Sequence, residues 1–203
     1  GWYAPNITGN AYLGIGSWSE DEIVKYLKTG ANAHTIASGP MAEAIQASTS
    51  QMTDEDVKAI ATYLKSTSGG PAEKPKPIAA SEGRMQVGAA IYHDTCSACH
   101  GMDGKGMPMV GAAPGAMLAP ALAGSRTVVG WREGPIHVLM QGLSGDIDGK
   151  KYEGQMVSMA TNDDAWIASV LSYVRNSFGN RAGFVSAQQV ATIRSATKDR
   201  TQP

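Results

Sequence analysis

The chain has 203 residues and a formal net charge of −1, with 17 basic against 18 acidic side chains. Nothing in that balance points to a nucleic-acid partner or to bulk attraction to an acidic membrane face. No run of about 18 apolar residues occurs, so the sequence as given holds no membrane span, and its length allows one or two domains.

The chain opens on Gly1-Trp2-Tyr3, without the basic and then apolar stretch of a secretory leader. Ser19 followed by Glu22 is a capping-box signature, and Ile23, Val24 and Leu27 then recur at helical spacing until Gly30. Gly39-Pro40-Met41 predicts a short helix with proline near its first position. Thr53, with Asp54, Glu55 and Asp56 behind it, opens a stronger helix whose Val57, Ile60, Ala61 and Leu64 share one face. Residues 66–80 are rich in Gly, Pro, Ser and charge and read as a semi-rigid linker.

A helix over residues 82–95, with Met85, Val87, Ala90 and Ile91 as apolar positions, runs straight into Cys96-Ser97-Ala98-Cys99-His100. A glycine loop over 101–106 follows, then a Gly/Ala/Pro stretch ending in Pro120-Ala121-Leu122-Ala123-Gly124. Gly134-Pro135 opens a helix through Ile136, Val138, Leu139 and Met140 that stops at Gly142. Residues 145–151, with Asp148-Gly149 inside, carry hairpin chemistry. Asn162-Asp163-Asp164 caps a last long helix through Trp166, Ile167, Val170, Leu171, Tyr173 and Val174, closed near Gly179. Ser186 with Gln189 opens a tail helix through Val190 and Ile193, either packed on the domain or docking a neighbour.

Both cysteines of the chain lie in the pentapeptide at 96–100. C-x-x-C-H is the attachment pattern for c-type haem: two thiols add across the vinyl groups, and the adjacent histidine is close enough to bind the iron. A structural zinc site needs four ligands, and His34, His93 and His137 stand in no matching spacing. A thioredoxin-like redox pair would follow a strand, whereas the flanks here are helical and glycine-rich. A plain disulfide has no need of His100. The other axial position decides between electron transfer and small-molecule binding, and methionine is favoured for the former. Any one of ten methionines is first of all soft core filler, but Met156 and Met159 lie in the loop before the last helix. The loop length back from the helix cap prefers Met156. The second ring nitrogen of His100 needs an acceptor, for which a backbone carbonyl in 120–122, Pro120 foremost, is the natural candidate. His93 and His137 read as ordinary helix residues.

With helix, C-x-x-C-H, loops, helix, methionine loop and helix in that order, residues 82–177 resemble a class I cytochrome c module. C-S-A-C-H, P-A-L-A-G and M-V-S-M before the N-D-D-capped helix carry the likeness. The stretch at 174–182 resembles the end of cytochrome modules that accompany periplasmic alcohol, aldehyde and sugar dehydrogenases. The first segment is similar to another module of the multi-haem cytochrome subunit of those enzymes. Its matching pieces are Ala4-Pro5-Asn6-Ile7-Thr8, Gly14-Ile15-Gly16-Ser17-Trp18-Ser19, Gly39-Pro40-Met41-Ala42 and Met52-Thr53-Asp54-Glu55-Asp56. In the family that module carries its own C-x-x-C-H upstream; here there is none, and Met41 stands in the place of its axial methionine. Either an N-terminal portion is missing, or the half-domain persists without haem. The first is preferred, because a helix set shaped around a haem exposes apolar surface once it is empty.

The resemblance thus implies an all-α class I cytochrome c fold with one complete domain. The division is a partial cytochrome c-like domain at 1–65, linker 66–80, haem domain 81–180 and helical tail 181–203. It implies one covalent haem c on Cys96, Cys99 and His100, with Met156 opposite, and a second, at Met41, only with a missing N-terminal segment. The expected role is electron transfer without catalysis by the chain itself. Electrons would pass from a periplasmic quinoprotein or flavoprotein dehydrogenase subunit to other cytochromes, quinone or a terminal oxidase. The alternatives are a dihaem peroxidase or small-molecule-binding haem protein, and a chain whose first segment serves only assembly.

Overall fold

The computed structural model describes residues 4–70, 75–76, 78–111, 117–143, 146–147, 150–151 and 155–198. Within them the fold is helical, with one very short antiparallel ladder.

Three helices build the first segment: α1 (Glu20–Thr29), α2 (Pro40–Ala47) and α3 (Asp54–Ser66). The capping box of α1 is formed in both directions, Glu22 N–H donating to Ser19 Oγ at 3.1 Å and Ser19 N–H to Glu22 Oε2 at 2.8 Å. Gly30, at φ 77°, closes that helix with its N–H on Tyr26 O. Thr53 caps α3 by accepting from Asp56 N–H. Ile15, Trp18, Ile23, Leu27, Val57 and Ala61 are buried together between α1 and α3. Lys65 Nζ bridges the carbonyls of Gly16 and Trp18, tying the loop before α1 to the end of α3. The start of the predicted linker stays on this segment: Asn10 Nδ2 donates to Gly69 O at 3.1 Å, and a Cβ at Gly69 would fall 1.8 Å from Asn10 N. Residues 71–74 and 77 of that linker lie outside the described residues, as do Gly1-Trp2-Tyr3.

In the second segment α4 (Gly83–Ile91) continues through a π turn (Tyr92–Cys96) into α5 (Ser97–His100), so the cysteine motif extends a helix rather than following a strand. Helix α4 crosses α8 (Asp164–Val174) at Gly88, where a Cβ would lie 2.2 Å from Ser169 O and 2.6 Å from Tyr173 Cβ. Glycine is what permits so close a crossing. Tyr92 is fully buried beside it, its hydroxyl donating to Gly101 O at 2.6 Å and its ring 5.0 Å from Phe178 and 5.5 Å from Tyr173. Asp163 caps α8, as the sequence indicates, but the helix ends at Val174 and turns run on to Gly179.

Helix α6 (Arg126–Val129) is a single turn that has no apolar periodicity to announce it, while α7 (Glu133–Gln141) begins just before Gly134-Pro135 and ends at Gly142. Strands β1 (Asp146–Ile147) and β2 (Lys150–Lys151) pair antiparallel, Ile147 opposite Lys150; the Asp148-Gly149 turn lies outside the described residues. The tail helix α9 (Ala187–Ala196) packs on its own domain. Val185 and Val190 are fully buried in the core formed with α7 and α8, and Arg194 Nε reaches Asp164 Oδ1 at 2.7 Å.

Candidate functional site

Cys96 and Cys99 face the site one turn apart as free thiols, Cys96 half-buried and Cys99 exposed. Burial first, and then Cys99, push the Cys96 thiol up to about 11. Among the described residues no three His, Cys, Asp or Glu side chains converge as a metal cluster. The described residues thus bring together no zinc ligand set, and the motif extends a helix rather than following the strand that precedes a thioredoxin-like pair.

His100 ends α5 and is buried. Its Nδ1 lies 3.2 Å from Pro120 O. A carbonyl can only accept, so Nδ1 carries the proton and Nε2 keeps its lone pair, the tautomer an iron ligand needs. Burial holds the imidazole below its ordinary pKa, against the Pro120 bond, and so favours the neutral ring. The glycine loop fixes the intervening chain: Gly106 N–H donates to His100 O and Met107 N–H to Cys99 O, at 2.8 and 3.0 Å. Leu122 N–H then bonds Gly104 O at 2.7 Å. Gly104, at φ 68°, sits against the Phe178 ring, where a Cβ would come within 2.6 Å of Cδ2.

Cys96, Cys99, His100 and Pro120 line a cavity of about 490 Å³, within the range of roughly 300–1,000 Å³ usual for cofactor sites. Leu122, Val128, Leu139, Val170, Leu171 and Val174 make its walls apolar. Met156 and Met159 both line it as well. Met156 is held by a two-way bridge to Leu143, at 2.8 and 3.0 Å, while Met159 N–H donates to Leu139 O at 2.7 Å. Ser158 Oγ adds a bond to Met140 O at 2.7 Å, so the whole methionine loop is fastened to the end of α7.

Met41 is not in this cavity. It packs inside the first segment, with Tyr26 and Ile45. The remaining histidines also lie elsewhere. His93 is exposed at the π turn, His137 is buried on α7, and His34 stacks on Trp18 and meets Glu22 Oε1 at 2.8 Å. Sequence reasoning did not find the cavity's other wall, formed by residues 35–39 with Ala42, Glu43 and Gln46 of α2. It lies fifty or more positions from the cysteine motif, and no local pattern marks it.

The family model for cytochrome c matches residues 85–178. Over 99% of its length the chain is 32% identical to the gluconate 2-dehydrogenase cytochrome c subunit of Pantoea cypripedii, covering 46% of that protein. It is 34% identical to the fructose dehydrogenase cytochrome subunit of Gluconobacter japonicus, over 97% of this chain and 44% of the relative. Cytochrome c-552 of Thermus thermophilus is 41% identical over 46% of this chain and 69% of its own length. The chain thus spans about half the length of the dehydrogenase subunits it matches. A cytochrome c domain implies haem c, and the donor set fits that group: two thiols, a neutral buried imidazole with its outer nitrogen satisfied, a thioether and apolar walls. On these grounds the chain belongs to the cytochrome c family.

Proposed function

We propose that this chain carries electrons through one covalently attached haem c, anchored by Cys96 and Cys99, with His100 and Met156 as axial ligands. Haem c, when bound, supplies a one-electron iron couple. The residues of the chain do the rest. The Pro120 carbonyl fixes the ring of His100 and leaves Nε2 toward the cavity. The Leu143 bridge holds Met156 in place, and the apolar walls keep water out. The observation that carries this reading is the convergence of Cys96, Cys99, His100 and Met156 on one apolar cavity, in a chain whose sequence holds a single C-x-x-C-H.

Residues 1–65 are proposed as a partial cytochrome c-like domain without its own attachment motif, joined through residues 66–80 to the haem domain at 81–180 and its tail. Met41 would become a ligand only to a haem that another segment attached. Similarity to cytochrome subunits of gluconate and fructose dehydrogenases supports a place as an electron relay. It would take electrons from a quinoprotein or flavoprotein dehydrogenase subunit and pass them to other cytochromes, quinone or a terminal oxidase, in the periplasm. Among the described residues no helix is long and apolar enough to cross a membrane.

A dihaem peroxidase or haem sensor is not favoured, since it requires an open or displaceable axial site, and the peroxidase also a second attachment motif. Carbon monoxide added to the reduced protein separates the readings. Little or slow binding is expected from a His/Met iron, and rapid stoichiometric binding would overturn the electron-carrier proposal.

A further inference from the structure

Helix α2 has two working faces. Met41 and Ile45, four residues apart, turn into the apolar cluster of the first segment. Glu43 and Gln46 turn the other way and, with residues 35–39 and with Ala42, which touches both the cluster and the cavity, wall the cavity of the second segment. Helix α2 also lies against β1, in the excursion between Leu143 and Met156.

Two side chains fasten this arrangement across the segment boundary. Arg126, on the short helix α6 and almost wholly buried, donates to the carbonyls of Tyr12 and Ala11 and, at 2.7 Å, to Ser17 Oγ. Its neighbours Ser125, Thr127 and Val128 line the cavity. In the opposite sense, the Tyr12 hydroxyl donates to Arg181 O and accepts from Arg181 N–H at 2.6 Å. A buried guanidinium whose two terminal nitrogens both donate to another segment, with Nε left without a partner, is costly to strip of those bonds, so it fixes that segment's position.

We propose that the first segment is a cap on the haem cavity, with Arg126 and Tyr12 as positioning residues that hold residues 35–46 as its wall. This rests on the reading that the cavity holds haem. The cap excludes water from the site and lies against β1, which precedes Met156 in the chain. Water stabilises the more highly charged oxidised iron, so a closed cap raises the reduction potential.

The test compares Tyr12→Phe, Arg126→Gln and the milder Ser17→Ala in the haem-loaded chain. Loosening the cap predicts a lower midpoint potential, by about threefold in the equilibrium with a fixed-potential partner, and about tenfold tighter imidazole binding to the oxidised protein. Amide exchange over residues 35–47 should quicken in the same variants. Tyr12→Phe alters no charge, so a potential shift confined to Arg126→Gln would reduce the effect to a lost cation and overturn the cap. Unchanged potential, imidazole binding and exchange in Tyr12→Phe and Ser17→Ala would do the same, even if Arg126→Gln fails to fold. The wild-type chain's haem content and spectrum test the underlying reading separately. If the wild type carries no haem, that reading fails, whereas the exchange comparison still tests whether Arg126 and Tyr12 hold the segment.

Discussion

Gly142 and Met156 approach so closely that a Cβ on the glycine would lie 2.4 Å from the methionine's carbonyl oxygen. Gly142 also sits at φ 78°, a conformation other residues adopt only under strain. The end of α7 is therefore shaped to let the methionine loop lie flat against it. Gly142→Ala is expected to lower stability by about 1–3 kcal/mol in denaturant unfolding and to weaken the sulfur-to-iron absorption band. An unchanged band with unchanged stability would show that the loop does not depend on this contact.

Met156 and Met159 both reach the cavity, and the assignment between them is open to direct test. Met156→Ala is expected to abolish the sulfur-to-iron band at the red edge of the visible spectrum, while Met159→Ala retains it. The reverse pattern would transfer the axial role to Met159.

For Met41 the expectation is structural. Its side chain is packed with Tyr26 and Ile45, away from the cavity. Met41→Ala should leave the haem spectrum of this chain unchanged and cost about 1–2 kcal/mol, below the usual loss for a fully buried methionine because the side chain is only partly buried. A spectral change would place the residue much nearer the iron than its packing allows.

What the sequence revealed was local. Ser19 with Glu22 and Ser186 with Gln189 marked two helix starts because a capping box is complete within four residues. Cys96, Cys99 and His100 were legible because attachment chemistry dictates their spacing. The cavity wall at 35–46 and the bonds from Arg126 to Tyr12, Ala11 and Ser17 were not, since each joins positions far apart in the chain. A four-residue helix such as α6 is also too short for periodicity to show. The tail helix left two roles open in the sequence. Burial of Val190 and the Arg194–Asp164 pair place it on its own domain.

The most direct test of the central claim is the intact mass of the chain under denaturing conditions, where only covalent groups remain. One haem per chain, bound through Cys96 and Cys99, is the predicted result. A bare polypeptide mass, or a mass carrying two haems, would contradict it.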